Sequence, residues 1–126
     1  MAKETKRILL VAGHHAFREA LVMALNQHED LEVAWQAGSF ADTRDIHLDG
    51  INVAVIDPLL PDGDGLKLIR EVSVANPNAL ALVLSHKLDD ALYQQALGAG
   101  AVEVLATNTG LEEVIDAVRR RSADAS

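Results

Sequence analysis

The sequence predicts an α/β domain of the doubly wound kind: a five-stranded parallel sheet in the order 2-1-3-4-5, with helices on both faces. Three observations predict it. Four short apolar runs, Ile8 to Val11, Val53 to Ile56, Leu80 to Leu84 and Val102 to Leu105, are each followed by polar or small residues and read as strands. The first three are continuous rather than alternating, the pattern of parallel strands covered on both sides. Segments with helical spacing lie between the runs, so strand and helix alternate five times and call for right-handed crossovers.

The elements follow in order. Strand one, Ile8 to Val11, leads into a helix on which Phe17, Leu21, Ala24 and Leu25 fall at i, i+4, i+7 and i+8. Leu31 to Trp35 alternates more and reads as an edge strand, which favours the order 2-1-3-4-5 because the most apolar runs then lie in the middle. A short second helix opens at Ser39, with Asp42 three residues on in the manner of a capping box. After strand three, Leu66, Ile69 and Val72 mark a third helix, entered through Gly63-Asp64-Gly65 and stopped before Pro77. Leu88, Ala91, Leu92 and Ala96 mark a fourth, ended by Gly98 and Gly100. The fifth opens with the capping box Thr109-x-x-Glu112 and carries Leu111, Val114, Ile115 and Val118 on one face. The domain is expected over 1–121, with 122–126 a tail or the start of a linker.

Composition narrows the function. At 126 residues, 49% of them hydrophobic, the chain can bury roughly two-thirds of its unfolded surface around one core. With no cysteine, it has no thiol chemistry, zinc-thiolate site or disulfide, in keeping with a reducing, cytoplasmic setting. No apolar run approaches the roughly 20 residues of a membrane span, and Met1 to Arg7 is too polar for a signal peptide, so no membrane partner is expected. Eleven basic against nineteen acidic residues give a net charge of −8, the wrong sign for direct nucleic-acid binding by this domain. Arg119-Arg120-Arg121 is read as the cationic end of the last helix.

In a sheet of this order, chemistry belongs beyond the carboxyl ends of the strands, at the switch point between strands one and three. The residues predicted there are Ala12, Gly13, His14 and His15, then Asp57, then Ser85 and His86, then Ala106, Thr107 and Asn108. Asp62-Gly63-Asp64-Gly65 fails the EF-hand spacing because Leu66 stands at the third ligand position, and is read as a turn and helix entry. Gly98-x-Gly100 follows a helix and lacks a third glycine, so it is no dinucleotide fingerprint. His28 and His47 are placed on helices, in solvent.

At these residues the sequence resembles the response-regulator receiver domain, of flavodoxin-like (CheY-like) fold, over nearly its whole length. The strongest match is Val55-Ile56-Asp57-Pro58-Leu59-Leu60-Pro61-Asp62-Gly63-Asp64-Gly65, which is similar to the family's phosphoacceptor strand and following loop. Phe17-Arg18-Glu19-Ala20-Leu21 and Gly98-Ala99-Gly100-Ala101 resemble the subclass usually joined to a LuxR-type helix-turn-helix. The resemblance implies Asp57 as acceptor and Ser85 as switch hydroxyl. It also exposes departures. The acidic pair that holds Mg²⁺ corresponds to Ala12 and Gly13, the lysine that pairs with the acyl phosphate to Thr107, and the aromatic switch to Val104.

Phosphoryl transfer depends on positioning and on neutralising charge at the transferring group. With both the metal ligands and the lysine missing, Mg²⁺ binding is expected to be lost and ordinary phosphorylation of Asp57 very slow or absent. The expected function is therefore non-enzymatic: an atypical receiver in signal transduction, regulating transcription through a linked or partner DNA-binding module. Protein partners or a homodimer would use the fourth helix, fifth strand and fifth helix, or the first and fifth helices. Two rivals stand beside it. One is a working phosphoacceptor at Asp57, helped by main-chain groups and His14 or His15. The other is a ligand- or metal-binding sensor, in which His14, at most one of the vicinal pair His14 and His15, joins His86 and Asp57. A histidinium paired with Asp57 and a water-filled pocket are the simpler outcomes for that crevice.

Overall fold

The computed structural model describes residues 5–85, 89–107 and 110–124. Five parallel strands form the sheet: β1 (Lys6–Val11), β2 (Leu31–Ala37), β3 (Val53–Ile56), β4 (Leu80–Ser85) and β5 (Ala101–Ala106). Their order is β2-β1-β3-β4-β5, with all four neighbouring pairs parallel. Among the described residues four α-helices cover it: α1 (His15–Asn26), α2 (Gly65–Ala75), α3 (Asp90–Ala99) and α4 (Leu111–Asp124).

Alternate residues of each central strand feed opposite layers, as the two-residue period of a strand requires. Ile8 and Leu10 of β1, Val53 and Val55 of β3, and Leu82 and Leu84 of β4 pack with Leu21 and Leu25 of α1 and Val114 and Val118 of α4. Leu9, Val11, Ala54, Ile56, Ala81 and Val83 face the other way, onto Leu66, Ile69 and Val72 of α2 and Ala96 and Ala99 of α3. Residues 8–11, 53–56 and 81–84 at the centre of the sheet are apolar because neither of its faces meets water there.

Several expectations are corrected. The second helix is absent as an α-helix; Ala41–Thr43 and Leu48–Gly50 are two separate 3₁₀ turns. Ser39 does cap, its Oγ accepting from Asp42 N–H at 3.2 Å. The Thr43 hydroxyl then donates back to Phe40 O at 2.6 Å, and no apolar stripe with 3.6-residue spacing follows to reward further turns. His47 accordingly precedes the second turn, edge-on to Trp35, and His28 lies in the turn after α1, half-buried. The expected tail is partly helix: Ser122 lies inside α4, buried, donating to Val118 O at 2.6 Å.

Gly98 does not end α3 but sits within it; the stop is Gly100 at φ 117°, in the left-handed region where a side chain is strained. The arginine run is not merely a helix end. Arg120 and Arg121 both donate to the Glu103 carboxylate of β5, at 3.0 and 2.8 Å, and strap α4 to that edge strand. Leu88 and Thr109, read as parts of helices, lie outside the described residues.

Candidate functional site

The ladder continues one residue past the strand ends. Asp57 N–H donates to Val11 O at 2.8 Å and Ala12 N–H to Ala37 O at 3.1 Å, so backbone bonds fix both residues at the β1/β3 switch point. Ser85 and Ala106 are paired as the last residues of β4 and β5, and Ser85 is buried. Thr107 follows directly, half-buried. Val104 pairs with Val83 inside β5 and packs against the α2/α3 core layer. His86 and Asn108 lie outside the described residues.

These ends surround a cleft of about 430 Å³, lined among the described residues by Ala12, His14, Phe17, Asp57, Leu84 and Thr107. The predicted switch point is therefore a real concavity, and Asp57, His14 and Thr107 share it. The loop behind Asp57 is tightly built. Asp57 Oδ1 accepts from Leu59 N–H at 2.8 Å; Leu59–Leu60 pairs antiparallel with Gly63–Asp64; Asp64 caps α2 by accepting from Leu66 N–H at 2.9 Å. This gives the stretch Asp62 to Gly65 its turn and helix-entry role. Asp62 accepts from Phe40 N–H at 2.7 Å and Ala41 N–H at 3.0 Å. The bonds from Ala41 and then Phe40 hold its carboxyl below the ordinary value of 3.8.

The two vicinal histidines divide their work. His14 is the N-cap of α1, its Nδ1 accepting from Phe17 N–H at 3.2 Å. With Nδ1 an acceptor, the neutral ring carries its proton on Nε2. His15 turns outward onto α1's surface, Nε2 lying 3.2 Å from Glu19 Oε1. His14 takes the capping place because α1 begins at His15 and its exposed N–H groups need a cap.

Sequence reasoning missed the role of Arg18. Its Nη1 donates to Ala12 O at 2.6 Å, its Nε reaches Gln36 Oε1 at 3.3 Å, and its Nη2 lies 3.1 Å from His15 Nδ1. The guanidinium lies over Gly38, where a Cβ would fall 2.6 Å from Nη1. A fixed cation thus closes the carboxyl ends of β1 and β2. The signal was available as an arginine in the first turn of α1 together with a glycine just past β2, but neither residue alone suggests the contact.

The residues do not fit a Mg²⁺ ion. Ala12 and Gly13 carry no oxygen ligand on their side chains, and the Ala12 carbonyl is taken by Arg18. A side chain on Gly13 would meet Pro61 Cδ at 3.2 Å. Among the described residues lining the cleft, Asp57 is the sole carboxylate, and no three His, Asp or Glu groups among the described residues could hold a metal together.

Sheet order and the acidic crevice at the β1/β3 switch point define a flavodoxin-like α/β domain with its site at the carboxyl ends of the strands. Residues 8–119 match the response regulator receiver domain family, and the chain belongs to that family. It is 33% identical over 96 residues to the DNA-binding transcriptional activator DevR/DosR of Mycobacterium tuberculosis, covering 75% of this chain and 44% of that protein. It is 26% identical over 122 residues to the response regulator VraR of Staphylococcus aureus, covering 94% of this chain and 57% of the relative. The chain thus spans about half the length of these curated relatives. Among solved structures it is similar to the signal receiver domain of the response regulator NarL from Mycobacterium tuberculosis, with a TM-score of 0.81 and 29% identity, covering 95% of this chain and 98% of that one. A CheY-like receiver from Methanospirillum hungatei shares the fold, with a TM-score of 0.84 at 20% identity, covering 96% of each chain. No helix among the described residues is long and apolar enough to cross a membrane.

Proposed function

We propose that this domain is an atypical receiver whose output does not run through Mg²⁺-dependent phosphorylation of Asp57. One observation carries the reading: at the end of β1, where the family resemblance places the metal-holding acids, Ala12 and Gly13 offer none, and Arg18 engages the Ala12 carbonyl at 2.6 Å. Among the described residues no lysine or arginine lines the cleft, so none of these supplies the cation that phosphoryl transfer to Asp57 needs. Asp57 keeps its place after β3 as part of the loop framework, accepting from Leu59 N–H.

The domain acts by association rather than catalysis, controlling transcription through a linked or partner DNA-binding module, as the names of its relatives suggest. Tyr93 and Leu97 of α3 and Val102 of β5 are exposed, on elements that the family resemblance assigns to partners or a second copy. Incubation with acetyl phosphate followed by intact-mass spectrometry tests the reading. No phosphoryl adduct is expected with or without Mg²⁺; an adduct that disappears in Asp57→Asn establishes the working phosphoacceptor instead.

A further inference from the structure

We propose that the outward face of α2 is a self-complementary contact surface on which a second copy of this chain packs, antiparallel and about a two-fold axis between Arg70 and Glu71. The proposal goes beyond the reading above: it uses a different element from α3, β5 and α4, and it does not depend on how Asp57 is used. Leu66, Leu68, Ile69 and Val72 turn α2 into the core, which leaves Lys67, Arg70, Glu71, Val74 and Ala75 exposed. These lie at i, i+3, i+4, i+7 and i+8, one continuous stripe. They line an open groove of about 340 Å³. Val74, at 82% exposure, is the most exposed large hydrophobic residue among those described.

The pattern of charge and size along the stripe says what covers it. Arg70 and Glu71 are adjacent, and neighbours i and i+1 on a helix do not face each other. Among the described residues neither makes a hydrogen bond or an ion pair. Lys67 stands one turn before Glu71, but its Nζ lies over the Phe40 ring, 5.8 Å from the centroid. In an antiparallel pair with its two-fold axis between Arg70 and Glu71, each residue meets the one equally far beyond the axis. Arg70 then meets Glu71 of the second copy, Glu71 meets its Arg70, and Lys67 meets its Val74. Both charges gain an opposite partner, twice over, and the lysine stem covers the exposed valine. A parallel pair would instead set like charges against each other. The chain's net charge of −8 opposes contact between copies, so a second copy is held only where opposite signs are matched locally, as they are here. One helical stripe is smaller than a standard interface of roughly 1,200–2,000 Å², so the contact is weak, with dissociation at about 0.1–1 mM.

Sedimentation equilibrium over a dilution series down from about 1 mM tests this, on the wild type, Arg70→Glu and Glu71→Arg. The wild type should show a monomer–dimer equilibrium. Each variant alone turns two attractions into two repulsions and should associate about tenfold or more weakly. An equimolar mixture of the two variants should recover the wild-type association, because every opposed pair in the mixed dimer is again of opposite sign. That recovery also shows that both variants are folded. A protein carrying both substitutions should likewise dimerise with itself. A wild type that stays monomeric throughout overturns the proposal and leaves the groove to a partner of other chemistry. A dimer that both single variants keep lies on another face and overturns it as well, and so does a mixture that stays as weak as its components.

Discussion

Replacing Gly65 by alanine tests whether the loop carrying Asp57 is as closely built as the structure shows. Gly65 opens α2 and donates its N–H to Pro58 O at 3.0 Å. A Cβ there would stand 2.8 Å from Pro58 Cα and closer still to the Asp57 carbonyl oxygen, both backbone atoms that no rotamer change can move. Overpacking of this kind costs about 1–3 kcal/mol, offset only in small part by the better helix propensity of alanine. At an unfolding entropy near 2.1 cal/mol/K per residue, each kcal/mol moves the melting temperature of a domain this size by about 4 °C. Gly65→Ala should therefore lower Tm by about 8 °C for a net loss of about 2 kcal/mol. Gly98→Ala is the control: it lies inside α3 with nothing within 4 Å of a new Cβ, and should raise Tm by about 2–4 °C. Thermal unfolding followed by circular dichroism reads both. A Gly65→Ala protein melting at or above the wild type, or two variants shifted in the same direction, would refute the reasoning.

Other consequences are equally direct. Asn76 ties the end of α2 to the second 3₁₀ turn, its Nδ2 donating to Ile51 O at 2.8 Å and Leu48 O at 3.3 Å; Asn76→Ala should cost about 1–2 kcal/mol, read as a Tm lower by about 4–8 °C. The folded-state pKa of Asp62 lies below the ordinary 3.8, so its contribution to stability is present above that value and lost as pH falls through the lower, folded pKa. A ¹³C carboxyl titration should give a midpoint below 3.8, with the Phe40 and Ala41 amides moving alongside; a midpoint at or above 3.8 contradicts the hydrogen-bonded geometry. Glu103→Gln should weaken the strap between β5 and α4 by about 1 kcal/mol, with a smaller loss at high salt, and a salt-independent loss would point to packing rather than charge.

The parallel sheet was legible because its cause is local and repeated. Runs such as Val53 to Ile56 are apolar on both sides for lack of any wet face, and the more alternating Leu31 to Trp35 marks an edge. The second helix was misread because Ser39 and Asp42 do form a capping turn, and a cap says nothing about how far a helix continues. Residues 44–50 lack the stripe that would have continued it. At the site, the positions of Ala12, Asp57 and Thr107 followed from strand order, since each lies at or just past a strand end. The side-chain partners did not. Whether His14 caps a helix or faces a carboxylate depends on where α1 begins. Arg18 reaches Ala12 only because Gly38, twenty residues away, leaves room above β2.

The central claim is that the carboxyl end of this sheet cannot assemble a Mg²⁺-phosphoryl site. Isothermal titration calorimetry of the domain with beryllofluoride, in the presence and absence of Mg²⁺, measures that directly. The account predicts no saturable Mg²⁺-dependent heat and an unchanged melting temperature, because Ala12 and Gly13 bring no carboxylate, Thr107 brings no cation and Arg18 occupies the Ala12 carbonyl. Saturable Mg²⁺-dependent binding that raises Tm and is lost in Asp57→Asn would contradict it.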